Sequence, residues 1–154
     1  MNTRFAPESE IDKSTVLGAK PFKHIEKIID NVLPHAERGI IARGEIIHYY
    51  SGDIRQCFLL LHGSVALHRR GEGIVLNSES APFILGVSSQ FSSEHLYVRA
   101  LETSEVASVS LACFNRIVAQ QNLWEHFSNL LIYTASRVYE HCAQISQMSA
   151  YDII

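Results

Sequence analysis

The apolar positions of this chain change their period along its length. Phe22, Ile25, Ile28, Ile29, Val32 and Leu33 recur at helical spacing with charges between them, bracketed by Pro21 and Pro34. That spacing predicts a short helix. Before it lies a polar arm, residues 1–20, with Pro7, Ser9, Ser14 and Gly18. From Ala36 to Ser110 the apolar runs shorten and glycine punctuates them. Ile40-Ile41-Ala42 leads to Arg43-Gly44, and Ile46 to Tyr50 leads to Ser51-Gly52-Asp53. Cys57 to His62 leads to Gly63-Ser64 and then Val65 to His68, which reads as a hairpin. Arg70-Gly71-Glu72-Gly73 marks the next turn, and Leu96 to Leu101 and Glu105 to Leu111 read as further strands. Short strands with frequent turns predict an antiparallel barrel or sandwich.

From Leu111 the period is helical again, with no Gly or Pro as far as Ile154. A short helix over 112–120 precedes Gln121-Asn122, and a long helix runs from Leu123 to about Met148. Leu131, Ala135, Val138, Cys142 and Ile145 are spaced four, three, four, three, a heptad seam. A second stripe runs through Leu123, Phe127 and Leu130 to Thr134. The preferred reading has one stripe covering the β-domain and the seam meeting a second copy. A single broad core face in a monomer is the alternative.

Composition narrows the classes. The chain has 154 residues, 47% of them hydrophobic and 19% charged, which suits one domain with a core and excludes wholesale disorder. No run reaches the ~18 apolar residues of a membrane helix, and the first residues lack an apolar leader, so a cytoplasmic protein is expected. The net charge is −3, and all four lysines lie at or before Lys27. Nucleic-acid surfaces gain affinity from clustered positive charge, so this segment alone is not expected to bind DNA or RNA. Cys57, Cys113 and Cys142 are far apart with no CxxC, which speaks against zinc-ribbon and thioredoxin-type sites. No HxH or HxxxH pair occurs among the eight histidines. Neither a metal nor another cofactor is expected.

These elements, in this order, resemble the cyclic-nucleotide-binding domain, and specifically the sensor domain of the Crp/Fnr family of transcription regulators. The residues that carry the resemblance are Arg43-Gly44-Glu45-x-Ile47, Ser51-Gly52-Asp53, Cys57 through Gly63-Ser64-Val65-x-Leu67, and Val98-Arg99-Ala100 through Glu105-Val106-Ala107. Ala81-Pro82-Phe83-Ile84-x-Gly86, Gln121-Asn122-Leu123-Trp124 and Ser149-x-Tyr151-Asp152-x-Ile154 are similar to the IprA-like subgroup, which carries an appended winged helix-turn-helix. The resemblance implies a mainly β fold with flanking helices, a jelly-roll-like antiparallel β-roll over 21–120. A long dimerisation helix and the start of a hinge would occupy 121–154. It also implies a homodimer in a stress-response regulator that meets DNA only through a winged-helix domain beyond Ile154, so the chain reads as part of a longer protein.

The departures bear on chemistry. Cyclic-nucleotide binders follow a Gly-Glu pair with an Arg that holds the cyclic phosphate. Here Val87 follows Gly86, and the arginine and hydroxyl positions fall on Glu94 and His95. A charge pair at 4 Å is worth ~4 kcal/mol at an effective dielectric of ~20, so Glu for Arg replaces attraction with comparable repulsion. The pocket residues Gly86, Val87, Ser88, Ser89, Glu94 and His95 are therefore expected to refuse cAMP and cGMP. They form a degenerate pocket, either solvated or open to an unidentified small molecule. No catalytic residue is expected: a cupin-type metalloenzyme needs an x-H-x-H pair, and after His48 the second position is Tyr50. A thiol-based redox sensor, with Cys113 at a helix start or Cys142 on the seam, and a ligand-free interaction scaffold are the alternatives.

Overall fold

The computed structural model describes residues 19–69, 75–87 and 96–137. Residues 1–18 of the arm over 1–20 and the chain from 138 lie outside the described residues, as do the seam positions Val138, Cys142 and Ile145. Helix α1 spans Phe22–Val32 and buries Ile25, Ile28, Ile29 and Val32. Phe22 departs from that stripe and is 51% exposed. A single 3₁₀ turn, Leu33–His35, ends the helix at Pro34.

Nine strands follow among the described residues: β1 Glu37–Ile41, β2 Ile46–Ile47, β3 Tyr50–Ser51, β4 Ile54–His62, β5 Ser64–Arg69, β6 Val75–Ser80, β7 Phe83–Leu85, β8 Leu96–Ala100 and β9 Ser104–Ser110. They form two antiparallel sheets. One runs β1-β9-β4-β3 with β7 also on β4, and the other runs β2-β8-β5-β6. Paired residues share a face of a sheet, so the register sorts the core. Cys57 faces Val109 and Leu59 faces Ala107 on one side, while Leu60 faces Val106 and Phe83 on the other. All seven are buried, because one side of this sheet looks into the barrel and the other lies under the helices. That two-sided burial explains why β9 does not keep the simple apolar–polar alternation of a half-exposed strand.

The expected hairpin at Gly63-Ser64 is corrected. β4 and β5 do not pair with each other; the chain crosses there from one sheet to the other. Two runs around a glycine turn look alike whether they fold back or change sheets. Gly63 has φ +105°, and its carbonyl accepts from the Ala81 amide at 2.9 Å. The Ser64 carbonyl accepts from the Leu101 amide at 2.9 Å, so the corner is tied to both neighbouring connections. β7 carries no strand signal in the sequence, since three residues are too few to show a period.

Helix α2, Leu111–Gln120, starts on Ser110, whose hydroxyl accepts from the Cys113 amide at 3.1 Å. Asn122, at φ 54°, makes the turn, as asparagine tolerates the left-handed region. Helix α3 then covers residues 124–137. Its barrel-facing stripe is the one the sequence marks out: Leu123 and Leu130 are buried and Phe127 is half-buried, with its ring edge-on to Phe114 at 5.5 Å. Tyr133 joins them, edge-on to Phe83 at 6.1 Å. On the other side Trp124 and Ile132 are 51% and 54% exposed, Ala135 is exposed and Leu131 half-exposed. Among the described residues no helix is long and apolar enough to cross a membrane.

A Cβ at Gly63 would stand 2.2 Å from Ser104 Oγ and 2.9 Å from its Cα, in a backbone region that L-residues avoid. Gly63→Ala is expected to cost more than about 2 kcal/mol in urea unfolding. Gly39→Ala, where nothing lies within 4 Å, should stay within about 0.5 kcal/mol. Equal effects at the two sites would refute the crossing as a tight corner.

Candidate functional site

Between the barrel and α3 lies a cavity of about 110 Å³. Its apolar wall comes from Val65, Leu67, Phe83, Leu85 and Val98, and its lid from Thr134 and Arg137 of α3. The elements explain the position. β5, β7 and β8 bring alternate side chains into the barrel, and α3 crosses the opening because Leu130 anchors it. A buried Leu→Ala change costs about 2–5 kcal/mol, so Leu130 is a substantial part of what holds the helix in place.

The polar groups of the cavity come from distant parts of the chain. Glu79, on β6, is the hub of a clasp. Its Oε2 accepts from the Tyr133 hydroxyl at 2.6 Å and lies 3.3 Å from Arg137 Nε. Arg137 also donates to the Ser78 carbonyl at 3.0 Å. Lys20 Nζ stands 3.8 Å from Glu79 Oε1 and donates to the Ser80 carbonyl. Burial pulls the Lys20 ammonium below its ordinary range, while Glu79 works in the opposite direction. The clasp thus joins the segment before α1, β6 and α3 through one carboxylate.

Arg55, on β4, occupies another wall with Tyr49. Its guanidinium packs over the Tyr49 ring at 4.9 Å and donates from Nη2 to the Gly86 carbonyl at 3.0 Å. Its Nε is shielded and has no hydrogen-bond partner. No carboxylate of the described residues lies within salt-bridge reach of it. Burial drives the Tyr49 hydroxyl far above its ordinary range, against the pull of Arg55. The buried Cys57 thiol is pushed up to about 12, mainly by burial, again against Arg55.

Gly86 and Val87 do line the cavity. Gly86 ends β7 at φ +85°, and a Cβ there would strike the Tyr49 ring at 2.7 Å. Ser88, Ser89, Glu94 and His95 lie outside the described residues, as does Cys142. Cys113 is free and half-exposed, with its sulfur 3.4 Å from Arg116 Nη2. His48 is exposed, and among the described residues no group of three or more His, Cys, Asp or Glu side chains is placed to hold a metal. The structure does bring two histidines together: His24 Nδ1 and His126 Nδ1 are 2.8 Å apart, joining α1 to α3. Sequence reasoning also missed Arg55, Arg137 and Glu79 as cavity residues. No local spacing links β4, β6 and α3; only the barrel closure does.

Sequence comparison gives no match to any family model or to any curated protein. Solved structures do match in fold. The c-di-GMP-responsive global regulator CLP of Xanthomonas campestris is similar at a TM-score of 0.65 and 13% identity, over 80% of this chain and 64% of that one. The CO-sensing protein of R. rubrum gives 0.64 and 19%, over 84% and 63%. The catabolite activator protein of Thermus thermophilus gives 0.58 and 21%, over 80% and 59%. The fold is therefore that of the cyclic-nucleotide-binding domain, and the chain spans about three-fifths of the length of these proteins.

The Cys57 thiol generates a pH prediction. Unfolded, it ionises near its ordinary value of 9.0; folded, it holds its proton to about 12. Its contribution to stability is complete below pH 9 and is lost as the pH rises toward 12. Between pH 8 and pH 10 the wild type should lose about 1 kcal/mol more stability than Cys57→Ala, read by urea unfolding. Parallel pH profiles would contradict the buried, neutral thiol.

Proposed function

We propose that this chain is the sensor and dimerisation domain of a DNA-binding transcription regulator of the Crp/Fnr type, and not an enzyme. The observation that carries the reading is that α3 carries apolar side chains on two faces. The inner face of α3 closes a cavity, while its outer face presents Trp124, Leu131, Ile132 and Ala135 to solvent. An occupant of the cavity touches the helix that a second copy would pair with. Occupancy changes dimer geometry only through contacts that differ between the empty and filled states. An occupant that displaced the Glu79 clasp from Tyr133 or Arg137 would supply such a difference. In the whole regulator a two-fold dimer would match two DNA half-sites, read by a winged-helix domain that follows α3. The likeness to the IprA-like subgroup belongs to this proposal, as do a cytoplasmic location and a seam continuing through Val138, Cys142 and Ile145.

The effector in this reading is not a cyclic nucleotide. Val87 stands where the Glu that binds the ribose would be, and Glu94 stands where the Arg would be. Calorimetry with cAMP and with cGMP is expected to give no heat of binding, and micromolar binding of either would contradict the reading. Sedimentation tests the pairing face. The wild type should run as a dimer and Leu131→Glu as a monomer, because a carboxylate at the first seam position would be buried without a partner. A wild-type monomer, or a dimer indifferent to Leu131→Glu, would overturn it.

A further inference from the structure

We propose that the cavity takes a small organic acid, a carboxylate on a short aliphatic or single-ring body, and that Arg55 is the cation that selects it. This rests on the sensor reading above and adds the chemical class of the occupant. The charges carry it furthest. The described wall holds two guanidiniums and one carboxylate. That carboxylate, Glu79, is already engaged by Tyr133, Arg137 and Lys20. Arg55 is left with one hydrogen bond, to a neutral carbonyl, and no carboxylate within reach among the described residues. A half-buried cation kept in this state is completed by an anion from outside.

Arg55 is also held ready. Stacking on Tyr49 and the bond to the Gly86 carbonyl fix the plane of its fork, which suits the two oxygens of a carboxylate. The rest of the occupant must be apolar, because it would lie against Val65, Leu67, Phe83, Leu85 and Val98. Size sets the limit. A cavity of about 150 Å³ admits benzene, and this one, partly open to solvent, measures about 110 Å³. A base, sugar and phosphate together are far larger. The grip comes from β4, thirty-one residues before Gly86, and not from the loop that follows it.

Thermal unfolding of the 154-residue chain tests this with benzoate and isovalerate, each against its neutral isostere, benzamide and isovaleramide, at matched ionic strength. At least one acid is expected to raise the midpoint by about 2 °C or more at millimolar concentration, and neither amide should do so. Inorganic phosphate should leave the midpoint unchanged, since it has no apolar body to bury. Arg55→Gln should abolish the acid shift. Should that variant fail to fold, Arg55→Lys, which keeps the charge but loses the fork, should bind the acid about tenfold more weakly. No shift with either acid, equal shifts with acid and amide, or an acid shift that survives both substitutions would overturn the assignment. Equal shifts with acid and amide would leave the small-molecule sensor standing with a neutral effector, whereas calorimetric binding of cAMP would strike the sensor reading itself.

Discussion

The docking of α3 across the barrel is the contact on which the rest depends. Leu130 is wholly buried beneath it, and Leu123, Phe127 and Tyr133 extend the same stripe. Without that stripe β5, β7 and β8 would present Val65, Leu67, Phe83, Leu85 and Val98 to water, and the cavity would be an open apolar trough. The area these side chains remove from water, at about 25 cal/mol per Å², holds the helix down. The polar clasp then fixes its register along the barrel. Tyr133 and Arg137 are four residues apart, on one face of the helix, and both reach Glu79.

Because packing fixes one face of α3, the other is free to be apolar. The few charges of this helix are therefore no defect of a surface helix; they follow from two neighbours, one present and one proposed. The same economy appears in β4 and β9, where both faces of a sheet are buried and Ala107 and Cys57 replace larger side chains beneath the helices.

Much of this was legible in the sequence. Helical period gave α1, α2 and the inner stripe of α3, because helices answer to local spacing. Glycine punctuation gave the β-roll, because turns need particular backbone angles. The same punctuation misled at Gly63, where a corner between sheets and a hairpin share one signature. The candidate site was half legible. Gly86 and Val87 line the cavity, but Arg55, Glu79 and Arg137 meet there only through pairings of residues far apart in the chain. The charge balance of the cavity is thus a property of the closed barrel and not of any motif.

A fixed positive charge with no carboxylate partner among the described residues thus stands in a largely apolar cup, partly open to solvent. Anomalous diffraction from bromide-soaked crystals of the chain measures it directly. An interior bromide peak is expected beside the Arg55 guanidinium, under α3. Crystals in which Arg55 turns out to bulk solvent and the cup stays empty of bromide would contradict it.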